Sequence, residues 1–204
     1  MDPDTETPAS LELRFVEVDV RASANADGET VRRIEGLAAP YQAKTRIRAW
    51  GGHEFEEALE PGVFGETLRS GADVRLLLEH DSRALLARTK AGNLRLRDTP
   101  RGLEFEADLP DTQLARDVLE NIRAKNYPGM SFGFVPKEMA RAYEPNGRLR
   151  SVIHRAATLR EISVVALPAY AKTSVAMRSI LTAAPPADPA EALALRARLA
   201  RLRA

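Results

Sequence analysis

The sequence predicts a mainly β protein of the α+β class, with about seven strands in a compact antiparallel barrel or sandwich and helices between some of them. Three observations predict it. Short segments of alternating apolar and polar residues recur along the chain, and clusters of turn-forming residues separate them. Helical patterns are too few and too irregularly spaced for a parallel βαβ winding. About seven strands in about 170 residues suits one domain, within a chain of 204.

The elements follow in order. Leu11 to Val20 (LELRFVEVDV) alternates, with a phase slip at Phe15-Val16 that suggests a bulge. SANADGET reads as a turn, and TVRRIEGLAAPYQ as a second strand. PGVFGETLRS is a weak helix. Asp73 to His80 (DVRLLLEH) is a short buried strand, closed by a turn at Asp81-Ser82. AGNLRLRD and GLEFEADLP form the clearest hairpin, joined through Thr99-Pro100-Arg101-Gly102. Asp111 to Lys125 is the best helix: Asp111 or Thr112 caps it, and Leu114, Val118, Leu119 and Ile122 share one face. Asn126-Tyr127-Pro128-Gly129 stops that helix and Ser131 to Val135 reads as a strand. Glu144-Pro145-Asn146-Gly147 is a turn, and Val152 to Leu167 supplies one or two more strands.

Composition excludes several kinds of chemistry. There are 30 Lys+Arg, 29 Asp+Glu, three His and no Cys, for a formal net charge of +1. Near neutrality removes the bulk electrostatic case for nucleic acid or an anionic membrane as partner. Without Cys there is no disulfide, thiol nucleophile or Cys-bound metal, and no His spacing resembles a zinc motif. No cofactor is implied. The acidic start, MDPDTETPAS, lacks the pattern of a signal peptide, and no apolar run would span a bilayer, so a soluble intracellular protein is expected.

Any nucleophile is then Ser, Thr, Lys, Asp or Glu, and the His bases are His53, His80 and His154. His53 sits in an acidic loop and reads as solvated. His154, between Ile153 and Arg155, reads as a satisfied cross-strand residue. His80 ends an apolar strand beside a turn, where a side chain can reach a cleft, although such a residue is ordinarily only a boundary group. Ser131 is unusual because Gly129 and Gly133 clear space around it for a ligand or another backbone. Gly129 to Gly133 matches G-x-S-x-G in letters, but helix-turn-strand is read there, and a nucleophile elbow needs strand-turn-helix. A serine nucleophile needs a base, and the base an orienting acceptor. His80 with Ser131 leaves Glu161 or His154 as orienter. Glu161 interrupts the apolar run LREISVVAL, as a surface residue or as a buried acceptor with a specific partner.

Several segments together resemble the prohead (capsid-maturation) proteases of tailed bacteriophages, the HK97-type family related to herpesvirus assemblin-type serine proteases. They are GLAAPYQ (36–42), EALEPGVFGETL (57–68), LLLEHD (76–81), GLEFEADLPDTQLARDVLENIRAKNYPGMSFGF (102–134) and LREISVVALPAYAKTSV (159–175). The resemblance spans about residues 11–180 in register. It implies a compact antiparallel β-barrel with flanking helices and no cofactor or metal. It also implies a serine endopeptidase with His80 as general base, Ser131 as nucleophile and Glu161 orienting His80. Related herpesvirus enzymes use a second His as third member, which keeps His154 in reserve.

The implied function is cleavage of the capsid protein's scaffolding segment or a scaffold, and of the protease itself, inside the immature capsid in the host cytoplasm. The partners are the major capsid protein or its scaffolding segment and a second copy of the chain, with neither nucleic acid nor membrane. The alternative is a catalytically inactive protease-like module that binds scaffold or capsid protein. The expected organisation is a disordered N-terminus over 1–10, the protease domain over 11–180, and a Pro/Ala linker with a basic helix or tail over 181–204.

Overall fold

The computed structural model describes residues 11–17, 21–23, 32–48 and 53–166. The expected N-terminal segment 1–10, the SANADGET turn beyond Ser23 and the tail 181–204 lie outside these residues.

The first strand, β1, covers Glu12–Glu17 and pairs without a register shift, so the expected bulge at Phe15-Val16 is absent. The chain instead changes sheet between Glu17 and the next strand, β2 (Arg21–Ser23). Then come β3 (Arg33–Pro40), β4 (Thr45–Arg48), β5 (Glu54–Leu59) and a one-turn helix α1 (Gly65–Arg69). Strand β6 (Arg75–Leu78) turns tightly into β7 (Asp81–Arg88), so the segment expected as a turn at Asp81-Ser82 is already strand. The β8 (Leu94–Thr99) and β9 (Gly102–Asp108) hairpin lies where the alternation placed it. Helix α2 (Gln113–Arg123) starts at Thr112, whose hydroxyl accepts the Ala115 N–H at 3.2 Å. Strands β10 (Gly129–Tyr143) and β11 (Leu149–Val165) are far longer than the sequence suggested and form one hairpin around Gly147.

The expected antiparallel barrel of about seven strands gives way, among the described residues, to eleven strands in two sheets. One sheet runs β4-β5-β11-β10-β1, with β6 also on β11 and β7 on β6; the other runs β2-β3-β9-β8. No pairing among the described residues closes either sheet on itself. The first sheet is mixed: β5 lies parallel to β11 at Ser151 to His154, and β6 parallel to it at Glu161 to Val164. The segment β5-α1-β6 follows one edge of β11 without reversing, so both strands meet it in the same direction. Hairpin patterns in a sequence report only local antiparallel pairs, which is why these pairings were not visible.

A single core lies between the sheets. Ile34, Leu103, Phe105 and Ala107 from one sheet meet Met130, Phe132, Phe134, Ile162 and Val164 from the other. Helix α2 adds Ala115, Val118, Leu119 and Ile122, the apolar face read from its periodicity, while Leu114 is only partly buried. Because Met130, Phe132 and Phe134 point inward, strand alternation sends Ser131 and Gly133 to the opposite face of β10.

Candidate active site

On that opposite face, register brings distant residues together. Phe15 lies across from Ser131 and Leu13 from Gly133 on one side of β10; Ser163 lies across from Ser131 and Glu161 from Gly133 on the other. Glu161 reaches this face through a bulge. Gly133 pairs with Glu161 but Phe134 pairs with Leu159, leaving Arg160 as an extra residue on β11. In a regular strand Leu159 and Glu161 would share a face. The extra residue lets Leu159 enter the core while Glu161 turns to the other side. The sequence carries a trace of this, since core residues change phase between Leu159 and Ile162.

His80 arrives from the β6-β7 turn, where Leu78 pairs with Asp81 and only Glu79 and His80 intervene. Both have left-handed backbones, φ 51° and 59°, the type I′ geometry that normally selects Asn-Gly. Each non-glycine residue there costs about 1 kcal/mol or more. The turn is held against the end of β11: the Glu79 N–H donates to the Val164 carbonyl at 3.0 Å, and its carboxylate accepts the Ala166 N–H at 2.6 Å.

From this turn the His80 Nδ1–H donates to Glu161 Oε1 at 2.6 Å. An imidazole that donates through Nδ1 presents Nε2 as a lone-pair acceptor. Nε2 of His80 is buried and has no partner among the described residues. The Phe15 ring meets the imidazole edge-on, with centroids 5.4 Å apart. Ser131 is fully buried, and its hydroxyl donates to the Arg14 carbonyl at 3.0 Å, with no hydrogen bond to His80. His80 and Glu161 are thus bonded, while Ser131 shares their sheet face with its hydroxyl turned to β1.

His154 and His53 lie elsewhere. His154 is on the core side, where its Nε2–H donates to Glu57 Oε1 at 2.9 Å and its ring meets Phe134 edge-on at 5.1 Å. Glu57 also accepts Arg14 through two nitrogens, Nη2 to Oε1 at 2.7 Å and Nε to Oε2. Burial pushes the Glu57 carboxyl up, but hydrogen bonds from Arg14 and His154, with their charges, outweigh it and bring the group down to about 2. His154 therefore belongs to a buried ion-pair cluster on the other side of the sheet, and it makes no contact with His80. His53 stands just before β5, its ring 6.4 Å from that of Phe55.

Two features of the site were not read from the sequence. Ser163 is fully buried, and its hydroxyl donates to Glu161 Oε2 at 2.5 Å. Its signal was a hydroxyl two residues after a carboxylate on one strand, where both side chains share a face. Gly133 clears room for something other than substrate: a Cβ there would lie 2.7 Å from Glu161 Oε1 and 3.1 Å from the Leu13 side chain.

A family model described as the caudovirus prohead serine protease matches residues 16–184. The chain belongs to that family. As a member it is a prohead serine protease of the tailed-bacteriophage type. Among solved structures it is similar to the bacteriophage T4 capsid assembly protease, gp21, at 12% identity over 76% of this chain and 97% of that chain, with a TM-score of 0.48. No curated protein sequence matches it. Among the described residues no helix is long and apolar enough to cross a membrane.

Proposed function

We propose that this prohead protease is an endopeptidase that cuts the capsid protein's scaffolding segment or a scaffold, and its own chain, within the immature capsid. Ser131 is the nucleophile, His80 the general base and Glu161 the residue that orients His80. The observation that carries this reading is the 2.6 Å bond from His80 Nδ1 to Glu161, which leaves Nε2 unpartnered on the sheet face that also bears Ser131.

In the reaction, the Ser131 hydroxyl turns from the Arg14 carbonyl to His80 Nε2. Its oxygen attacks the peptide carbonyl carbon as Nε2 takes the proton. The C–N bond then breaks as His80 returns that proton to the departing amine, leaving an acyl-enzyme. Water attacks the ester with His80 again as base, and the acid product leaves with Ser131 reprotonated. Glu161 stabilises the imidazolium formed in each half and holds its ring in place.

Ser131→Ala removes the attacking atom, and loss of a triad member costs on the order of 10⁴–10⁶ in kcat. We expect this variant to leave the capsid precursor uncut while its circular dichroism and unfolding midpoint match the parent. Retained processing would reject the assignment. The direction of the Ser131 hydroxyl, toward Arg14 instead of His80, favours one second reading, a catalytically inactive module that binds scaffold or capsid protein. Labelling of Ser131 by a fluorophosphonate separates the two, because only an activated serine reacts.

A further inference from the structure

We propose that Ser163 is a positioning residue of the protease reaction. It holds the second oxygen of Glu161 so that the first stays on His80, in a space that Gly133 leaves open. The inference rests on the reading of His80, Ser131 and Glu161 as the reacting set.

Glu161 is 4% exposed. A carboxylate in such a place needs hydrogen-bond donors for both oxygens, or it is left largely undersolvated. His80 supplies one donor, to Oε1. The other oxygen is met by Ser163, at 2.5 Å, from a side chain that is itself fully buried. The two donors reach opposite oxygens, so together they define the carboxylate plane, and that plane defines the direction of the Nδ1–H bond. A single donor would leave the carboxylate free to rotate about it.

Sheet register supports the arrangement. Ser163 lies directly across from Ser131 in the β10-β11 ladder, and beside Leu77 of β6, the strand that leads into the His80 turn. Two buried serines thus flank the same site with different commitments. The Ser131 hydroxyl donates to a main-chain carbonyl, which a small rotation releases, whereas that of Ser163 donates to the carboxylate itself. Gly133 completes the cradle, since a methyl group there would come within 2.7 Å of the oxygen that faces His80.

The test compares Ser163→Ala, Ser163→Thr and Ser163→Cys in the full chain. Ser163 touches neither substrate nor the base, so its loss should act on kcat through misplacement of His80, on the order of 10- to 100-fold, with KM little changed. The fluorophosphonate labelling rate of Ser131 should fall by a similar factor. The far-downfield proton resonance of the His80 Nδ1–H should shift or broaden, a readout that simple loss of packing would not move. Thr keeps the hydroxyl and should restore all three. Cys, of similar volume but a weaker donor, should fall between, and it covers the case in which the alanine variant does not fold.

An alanine variant with kcat within about two-fold of the parent and an unchanged resonance would overturn the proposal. So would a fluorophosphonate adduct on Ser163 instead of Ser131 in the parent chain, which would make Ser163 the nucleophile. Failure of the underlying triad looks different: the parent would not label at Ser131, yet the His80 resonance would still report whether Ser163 sets the Glu161 carboxylate.

Discussion

Arg14→Met tests the buried ion-pair cluster that fastens β1 to the rest of the first sheet. Arg14 is 7% exposed, and Glu57, from β5, 6%. The guanidinium reaches Glu57 through Nε and Nη2, Glu12 through Nη2, and the Leu13 carbonyl through Nη1 at 2.9 Å. Methionine fills much of the same volume but leaves Glu57 with only the His154 donor. Removing one partner of a buried pair costs about 3–5 kcal/mol, a large part of the roughly 5–15 kcal/mol that holds a domain folded.

The pH dependence supplies a second measure of the same interaction. Glu57 lies at about 2 in the folded chain against an ordinary 4.5. A lowered carboxyl stabilises fully above its unfolded value and loses that contribution as pH falls from about 4.5 toward 2. The lowering, to which His154 contributes with Arg14, is worth on the order of 3 kcal/mol. Urea unfolding followed by circular dichroism at pH 7, and at steps from pH 5 to pH 3, measures both. Other ion-paired carboxylates, including Asp108, Glu104 and Asp73, are also lowered but are common to both proteins, so the difference between the two curves reports only the carboxylates that Arg14 meets, Glu57 and Glu12. Arg14→Met should unfold at markedly lower urea at pH 7, with the gap narrowing as pH falls. The double variant Arg14→Met/Glu57→Leu should regain part of the loss, because no carboxylate is left buried without a cation, although His154 loses the acceptor of its Nε2–H. A cost below about 1 kcal/mol at pH 7, or parallel curves from pH 5 to 3, would refute the reasoning.

Two further substitutions test the local backbone. Gly102 has φ 152°, and a Cβ there would lie 2.2 Å from the Ala39 carbonyl oxygen across the β3-β9 pairing; Gly102→Ala should cost about 3 kcal/mol or more, and a near-neutral shift in the unfolding midpoint would contradict the clash. Lys125 follows the α2 C-cap with φ 60°, while the Lys125 and Asn126 N–H groups close onto the Ile122 and Asn121 carbonyls at 3.0 and 2.8 Å. Glycine suits that position better, so Lys125→Gly should raise stability by about 0.5–1 kcal/mol, and a loss in the same assay would count against it.

Elements whose signal is local were legible. The β8-β9 hairpin, the α2 face and the β3 and β6 strands all lie where alternation or helical spacing put them. Strands β4, β5 and β7 were not, because TRIR, EFEEAL and DSRALLAR carry too many charges to read as buried. Glu57 shows the cause: it is buried because Arg14, 43 residues away, neutralises it, and no window around Glu57 contains that partner. The same limit applied to the site. Ser131 stood out through its flanking glycines, yet Gly133 serves the Glu161 carboxylate, and Ser163 carried no motif. Which of His154 and Glu161 lies beside His80 could not be read until the sheet faces were known.

The sequence by itself determined which chemistry is available: serine in place of thiol, three imidazoles, and carboxylates within otherwise apolar strands. With the spaced motifs it also determined the family. Only the tertiary structure decided which of these groups meet. His80 and Glu161 are 81 residues apart, joined by a tight turn with two strained residues and by one extra residue in β11. Shifting a strand by a single residue moves every side chain to its other face. The bulge at Arg160 therefore decides whether Glu161 faces His80 or the core, and the same register puts His154 beside Glu57 on the other side of the sheet.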